Sequence, residues 1–445
     1  MSAGFVVRKS GRVGRLSLAL WLALLASIVI AAPAARAVPT PEEDPFYTYT
    51  GSTPLASIAP GTVLKTRTSL YHVVGIPLPV KAVQLLYRAT GQTGEPTVNV
   101  TSVLVPPIVI GTPRIVAYQS FYDSLNPVDE PSYAISGGLS LGGVIANVES
   151  VLFGPELLAG NAVVIADTEG EKADFAAGPE YGTNTLDALR AAIASPATGL
   201  AKAQKIGMIG YSGGAIATEW AAELAPTYAP DINKRLVGAA FAGVLVDPAH
   251  NLHYVDGSIL WAGVMPMAII GVSRAFHIDL TPYLSAYGLQ IYNKLQKASI
   301  AEVLGQYPGL TWAQMAKPEY ATPESVPLYV EVVNKLIMGT GGTPTVPLLI
   351  AQGANGELEG TPGNKPGIGR GDGVMIAGDV RTLAREYCAR GVKVKYDQYD
   401  LLAHIETAVP WLTSAMAWLN DRFIGFAAPQ NCASIAPGNP LTPIP

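Results

Sequence analysis

Charge is what this sequence has least of. Only 14% of its 445 residues are Asp, Glu, Lys or Arg, and the formal net charge is −5 with histidines neutral. So few cations on an acidic chain argue against nucleic acid as a partner. Cysteine is scarcer: Cys388 and Cys432 are the whole complement, so at most one internal disulfide is available. The five histidines are His72, His250, His253, His277 and His404. His250 and His253 lie close in sequence but lack the HExxH pattern, and no third ligand or cysteine stands nearby, so they read as loop or cap residues. Nothing calls for a cofactor or a metal. Internal repeats, heptads and low-complexity tracts are absent, and beyond the N-terminus no stretch has the length and apolarity of a membrane span.

Hydrophobic residues, by contrast, make up 49% of the chain. The first such run belongs to an address. Arg8, Lys9, Arg12 and Arg15 form a basic region, residues 16–32 are apolar, and Ala35-Arg36-Ala37 offers a small-x-small cleavage site. A signal peptide over residues 1–37 is expected, without a twin-arginine pair, and an uncleaved anchor is the competing reading. Export would remove basic residues only, leaving a more acidic chain. In an oxidising compartment Cys388 and Cys432 would then pair.

The most informative stretch is Gly210-Tyr211-Ser212-Gly213-Gly214. An apolar run, residues 205–209, precedes it and reads as a buried strand; residues 215–224 follow and read as a helix. Strand, tight turn and helix are the context in which a G-x-S-x-G serine becomes an exposed nucleophile. Glycines at 210, 213 and 214 remove side chains that a strained turn could not hold.

From residue 80 onward β-like runs alternate with helical patterns, which predicts a mostly parallel sheet with helices on both faces. Residues 80–87 and 98–105 read as an opening hairpin, and 114–118, 162–167, 236–241, 346–351 and 392–399 as further strands. A helix is expected over 184–193, capped by Asn184. The organisation expected is a core over residues 38–249 and 346–445, interrupted by a helical cap over 250–345. Within the cap, helical patches are expected over 283–298 and 330–338. The apolar stretch 259–270 suits either a helix lining an acyl pocket or an ordinary buried one.

A serine hydroxyl needs a base, and the base needs an orienting acid. His404, five residues beyond Tyr399 and ahead of an amphipathic helix over 406–423, is the expected base. Three carboxylates compete for the acid. Asp372 follows a Gly/Pro-rich loop after the 346–351 strand, Glu357 follows that strand at once, and Asp247 follows the strand before it.

Several segments carry a family resemblance. They are Asp44-Pro45-Phe46-Tyr47, Pro60-Gly61-Thr62-Val63-Leu64, Ala117-Tyr118-Gln119-Ser120-Phe121-Tyr122-Asp123-Ser124, the Ser212 elbow and Trp418-Leu419-Asn420-Asp421-Arg422-Phe423. Together they resemble the secretory lipase family, over nearly the whole chain after the leader. The resemblance implies an α/β-hydrolase fold with a helical cap and a Ser212–Asp372–His404 triad. It also implies an oxyanion hole at Asp123 and Gly213. Where the family has a compact Gly-x-x-Asp turn followed by Val-Pro, this chain has Gly353-Ala354-Asn355-Gly356, and Val374-Met375 after Asp372. The activity implied is that of a secreted lipase on acylglycerol esters, touching lipid interfaces transiently. The alternatives are an esterase or acyltransferase on shorter or cell-envelope acyl groups, and an inactive lipid-binding hydrolase fold.

Overall fold

The computed structural model describes residues 38–445 apart from residue 110; the expected leader, residues 1–37, lies outside the described residues. Its strands are β1 (Val63–Val73), β2 (Ile76–Thr90), β3 (Pro96–Val105), β4 (Arg114–Gln119), β5 (Ala162–Ala166), β6 (Lys205–Tyr211), β7 (Leu236–Ala242), β8 (Leu348–Gly353) and β9 (Val394–Tyr399). They form one sheet in the order β1-β2-β3-β5-β4-β6-β7-β8-β9. β1, β2, β3 and β5 pair antiparallel. From β5 across to β9 every pairing is parallel.

The central parallel strands are buried and mostly apolar because helices cover both faces, whereas the edge strand β9 carries Lys395, Asp397 and Gln398. Ile115 and Ala117 of β4 enter one core cluster, Val116 and Tyr118 the other, as the period of two requires. Helices Gly178–Ala194, Gly213–Tyr228 and Ala377–Ala389 cover the first face, and helix His404–Ile424 packs through Trp411, Ala415 and Leu419 on the second. Cys388 and Cys432 are bonded, with S–S 2.07 Å, tying helix Ala377–Ala389 to the C-terminal segment. Among the described residues no helix is long and apolar enough to cross a membrane.

Some elements differ from expectation. β1 is an additional strand, and β2 starts at Ile76 so that it can pair with it. The helix expected to be capped by Asn184 begins at Gly178, with proline in its first turn. Asn184 is buried inside it and donates to the Thr168 carbonyl at 3.1 Å, fastening the helix to the loop after β5.

Between β7 and β8 the chain leaves the sheet and forms helices Pro248–Val255, Val264–Ala275, Ala286–Lys294, Ile300–Val303, Trp312–Met315 and Pro327–Asn334. They bury a cluster of their own, including Trp261, Met265, Ile270 and Val333. The expected helix over 283–298 is shorter because Ser285 caps it, accepting from Gly288 N–H at 3.1 Å. The expected helix over 330–338 starts earlier, at Pro327, and ends at Asn334.

Candidate active site

Ser212 ends β6 and opens helix Gly213–Tyr228 with φ 54° and ψ −120°. A non-glycine residue held there stores about 1–3 kcal/mol of strain, and the neighbouring glycines make the conformation possible. A Cβ at Gly210 would strike the Gly214 carbonyl, one at Gly214 would strike that of Gln119, and one at Gly213 would strike the Asp123 carboxyl. The turn aims Ser212 Oγ at His404, whose Nε2 lies 2.8 Å away.

His404 is the first residue of helix His404–Ile424, and three hydrogen bonds fix its orientation. Its Nδ1 lies 2.8 Å from Asp372 Oδ2, and its backbone N–H donates to the Asp372 carbonyl at 2.8 Å. Its own carbonyl accepts from the Tyr211 hydroxyl. Asp372 is wholly buried and well supplied with donors. Oδ1 accepts from Val374 N–H at 3.1 Å and Met375 N–H at 2.7 Å, and Oδ2 also accepts from Gln352 Nε2 at 2.7 Å. The long loop therefore returns Asp372 to the end of β8, beside the histidine.

The other two carboxylates are elsewhere. Glu357 is exposed in the turn Gly356–Glu359. Asp247 caps helix Pro248–Val255, accepting from Ala249 N–H at 2.9 Å and His250 N–H at 3.3 Å. His250 lies 3.2 Å from Asp379, and His253 pairs with Glu324.

Asp123 follows β4 and has φ 37°. Its N–H makes no hydrogen bond among the described residues, and Gly213 N–H, at the first position of its helix, has no intrahelical acceptor. Both residues line an apolar cavity of about 100 Å³ that reaches Ser212. Its walls include Ile216, Leu245, Trp261, Ala268, Ile269 and Val333.

The sequence profile of secretory lipases matches residues 136–431. The chain belongs to the secretory lipase family. It is 29% identical to lipase 1 of Candida albicans over 93% of this chain and 87% of that protein. A probable inactive lipase of Mycobacterium tuberculosis is 30% identical, over 86% of this chain and 83% of that one. The crystal structure of Candida antarctica lipase A superposes with a TM-score of 0.78 at 25% identity, over 92% of each chain. Family and architecture together place the chain among carboxylic-ester hydrolases of the α/β-hydrolase fold.

Around the base the electrostatics are unequal. Burial pulls the His404 imidazole down, but the carboxylates of Asp372, Glu359 and Asp123 hold it above its ordinary value. Burial pushes the Asp123 carboxyl up to about 7, opposed by His404. Sequence reasoning passed over Tyr211, Gln352, Trp261 and Glu359. Tyr211 carried a signal in its place inside the elbow, and Trp261 in the apolar stretch 259–270. Gln352 is a polar residue within the buried strand β8, and Glu359 comes from a loop whose spacing says nothing of where it returns.

Proposed function

We propose that the chain is a secreted serine lipase, cleaving acylglycerol esters through an acyl-enzyme on Ser212. The observation that carries this reading is the unbroken relay from Ser212 through His404 to Asp372, opening on an apolar cavity.

Ser212 Oγ attacks the ester carbonyl while His404 Nε2 takes its proton. Asp372 accepts the Nδ1–H bond, holding the tautomer that leaves Nε2 free, and stabilises the imidazolium that forms. The N–H groups of Gly213 and Asp123 receive the charge developing on the carbonyl oxygen, each worth about 3 kcal/mol in the transition state. Collapse of the tetrahedral intermediate breaks the ester C–O bond, and the proton on Nε2 passes to the departing alcohol. Water then repeats the sequence on the acyl-enzyme and restores Ser212. Residues 250–345 act as the cap whose helices hold the acyl chain out of water, and residues 1–37 direct export. Both features suit a substrate met at a lipid interface outside the cell.

The family also contains a relative named as inactive, so chemistry has to be demonstrated. A fluorophosphonate probe should label Ser212 and no other serine, and Ser212→Ala should lose labelling and ester turnover with its melting temperature unchanged. Unlabelled, well-folded wild-type protein, or turnover surviving in Ser212→Ala, would sink the proposal. A series of nitrophenyl esters followed by emulsified triacylglycerol then separates a lipase from an esterase of shorter acyl groups.

A further inference from the structure

A second carboxylate stands beside the base. Glu359 closes the turn Gly356–Glu359 inside the long loop between β8 and Asp372, and it is only 9% exposed. Its Oε1 accepts from Ile405 N–H at 2.8 Å, and its Oε2 accepts from Trp261 Nε1–H at 2.6 Å. Ile405 is the second residue of the helix that His404 begins, so this bond satisfies one of the donors a helix N-terminus leaves free. Trp261 meets the imidazole edge-on, with ring centroids 5.2 Å apart and planes at 82°. It also walls the cavity at Ser212. One carboxyl therefore joins the loop after β8, the N-terminus of the base helix and a tryptophan of the cavity.

We infer that Glu359 is a positioning residue for His404, seating the base helix and Trp261 around the imidazole and stabilising its charged form from the side Asp372 does not occupy. This rests on the proposed roles of Ser212 and His404. The reaction makes an imidazolium in each half, and a negative charge nearby lowers the cost of forming it. Burial pushes the Glu359 carboxyl up to about 7, while His404 pulls it back down. Its ionisation is thus tied to that of the imidazole. The other groups facing this pair are Asp372 and Asp123 toward His404, and Tyr254 and Tyr211 toward Asp372 and Glu359.

The sign follows from charge. A carboxylate favours the imidazolium, so removing it lets His404 become neutral, and competent as a base, at lower pH. Glu359→Gln keeps the shape of the side chain without the charge. The rising limb of kcat/KM against pH, and of the fluorophosphonate labelling rate at Ser212, should move down by about one pH unit. Trp261→Phe keeps an aromatic ring but removes one donor to the carboxylate, so it should move the limb the same way by a smaller step. Labelling that falls equally at every pH in Glu359→Gln, with the limb unmoved, would reduce Glu359 to packing and overturn the inference. Should Glu359→Gln fail to fold, the limb of Trp261→Phe decides alone. Wild-type protein that is never labelled at Ser212 is a different result, and it overturns the proposed function instead.

Discussion

The two sides of Ser212 are built on opposite terms. Toward His404 the relay is polar and hydrogen-bonded: Asp372 receives four hydrogen bonds to its side chain, from Gln352, Val374, Met375 and His404. Toward the cavity the serine meets Ile216, Leu245, Ile269 and Val333, whose side chains accept and donate nothing. The first side fixes atoms within tenths of an ångström, because proton transfer needs aligned partners. The second excludes water and tolerates variation, since burial of apolar surface has no preferred direction. Loss of one partner should therefore be severe on the first side and graded on the second.

The severest break is at Asp372. Asp372→Asn keeps the shape but turns a proton acceptor of Nδ1–H into a group that favours the wrong tautomer. In the serine-protease case the same change costs about 10⁴ in kcat. A loss of that order is expected here at neutral pH, with the melting temperature nearly unchanged. Glu357→Gln should be silent, because Glu357 is exposed. Asp247→Asn should also leave turnover alone, since asparagine caps a helix as well as aspartate does. Steady-state kinetics on all three variants check this; a silent Asp372→Asn would remove Asp372 from the relay.

On the apolar side the expected break is in specificity. Ala268 sits on helix Val264–Ala275 and lines the cavity. Ala268→Phe should fill part of it and lower kcat/KM for long-chain nitrophenyl esters by about a hundredfold, with little change for acetate and butyrate esters. A uniform loss across chain lengths would mean that the cavity is not where the acyl chain lies.

The same contrast decides how much was legible in the sequence. Ser212 could be read because a nucleophile elbow needs glycines at fixed offsets and a strand and helix on either side. His404 followed from its place after the last strand, and the sheet from runs of apolar, β-branched residues. The identity of the acid was not fixed by periodicity. Eighteen residues from Ala354 to Gly371 separate β8 from Asp372, and only their folded path brings that carboxylate back beside the base. Asn184 misled for a different reason: a polar residue in a helical run resembles a cap, whereas here it is buried and spans to a neighbouring loop. The apolar stretch 259–270 stayed ambiguous because a pocket wall and a core helix ask for the same side chains. Glu359 and Trp261 meet across 98 positions of sequence, and no spacing rule reaches that far.

The smallest effect tests the polar side by contrast with a carboxyl that lacks Asp372's donors. Glu219 is fully buried on helix Gly213–Tyr228, where its carboxyl meets the Tyr387 hydroxyl, which also lies 2.6 Å from Glu223 Oε1. Burial, and then the neighbouring Glu223, push the Glu219 carboxyl well above its ordinary value of 4.5. The folded protein thus keeps a proton that the unfolded chain releases as pH rises past 4.5. The stability contributed by this group is complete below that pH and is lost as pH climbs toward the folded value, at about 1.4 kcal/mol per unit for one proton. Other buried carboxyls, such as Asp167, which burial pushes up to about 7, act in the same direction. The melting temperature should therefore fall from pH 5 to pH 9. Glu219→Gln has no proton to lose at that position, so its melting temperature should fall less steeply over the same range. Parallel melting curves for wild type and Glu219→Gln would show instead that Glu219 is already ionised in the folded protein.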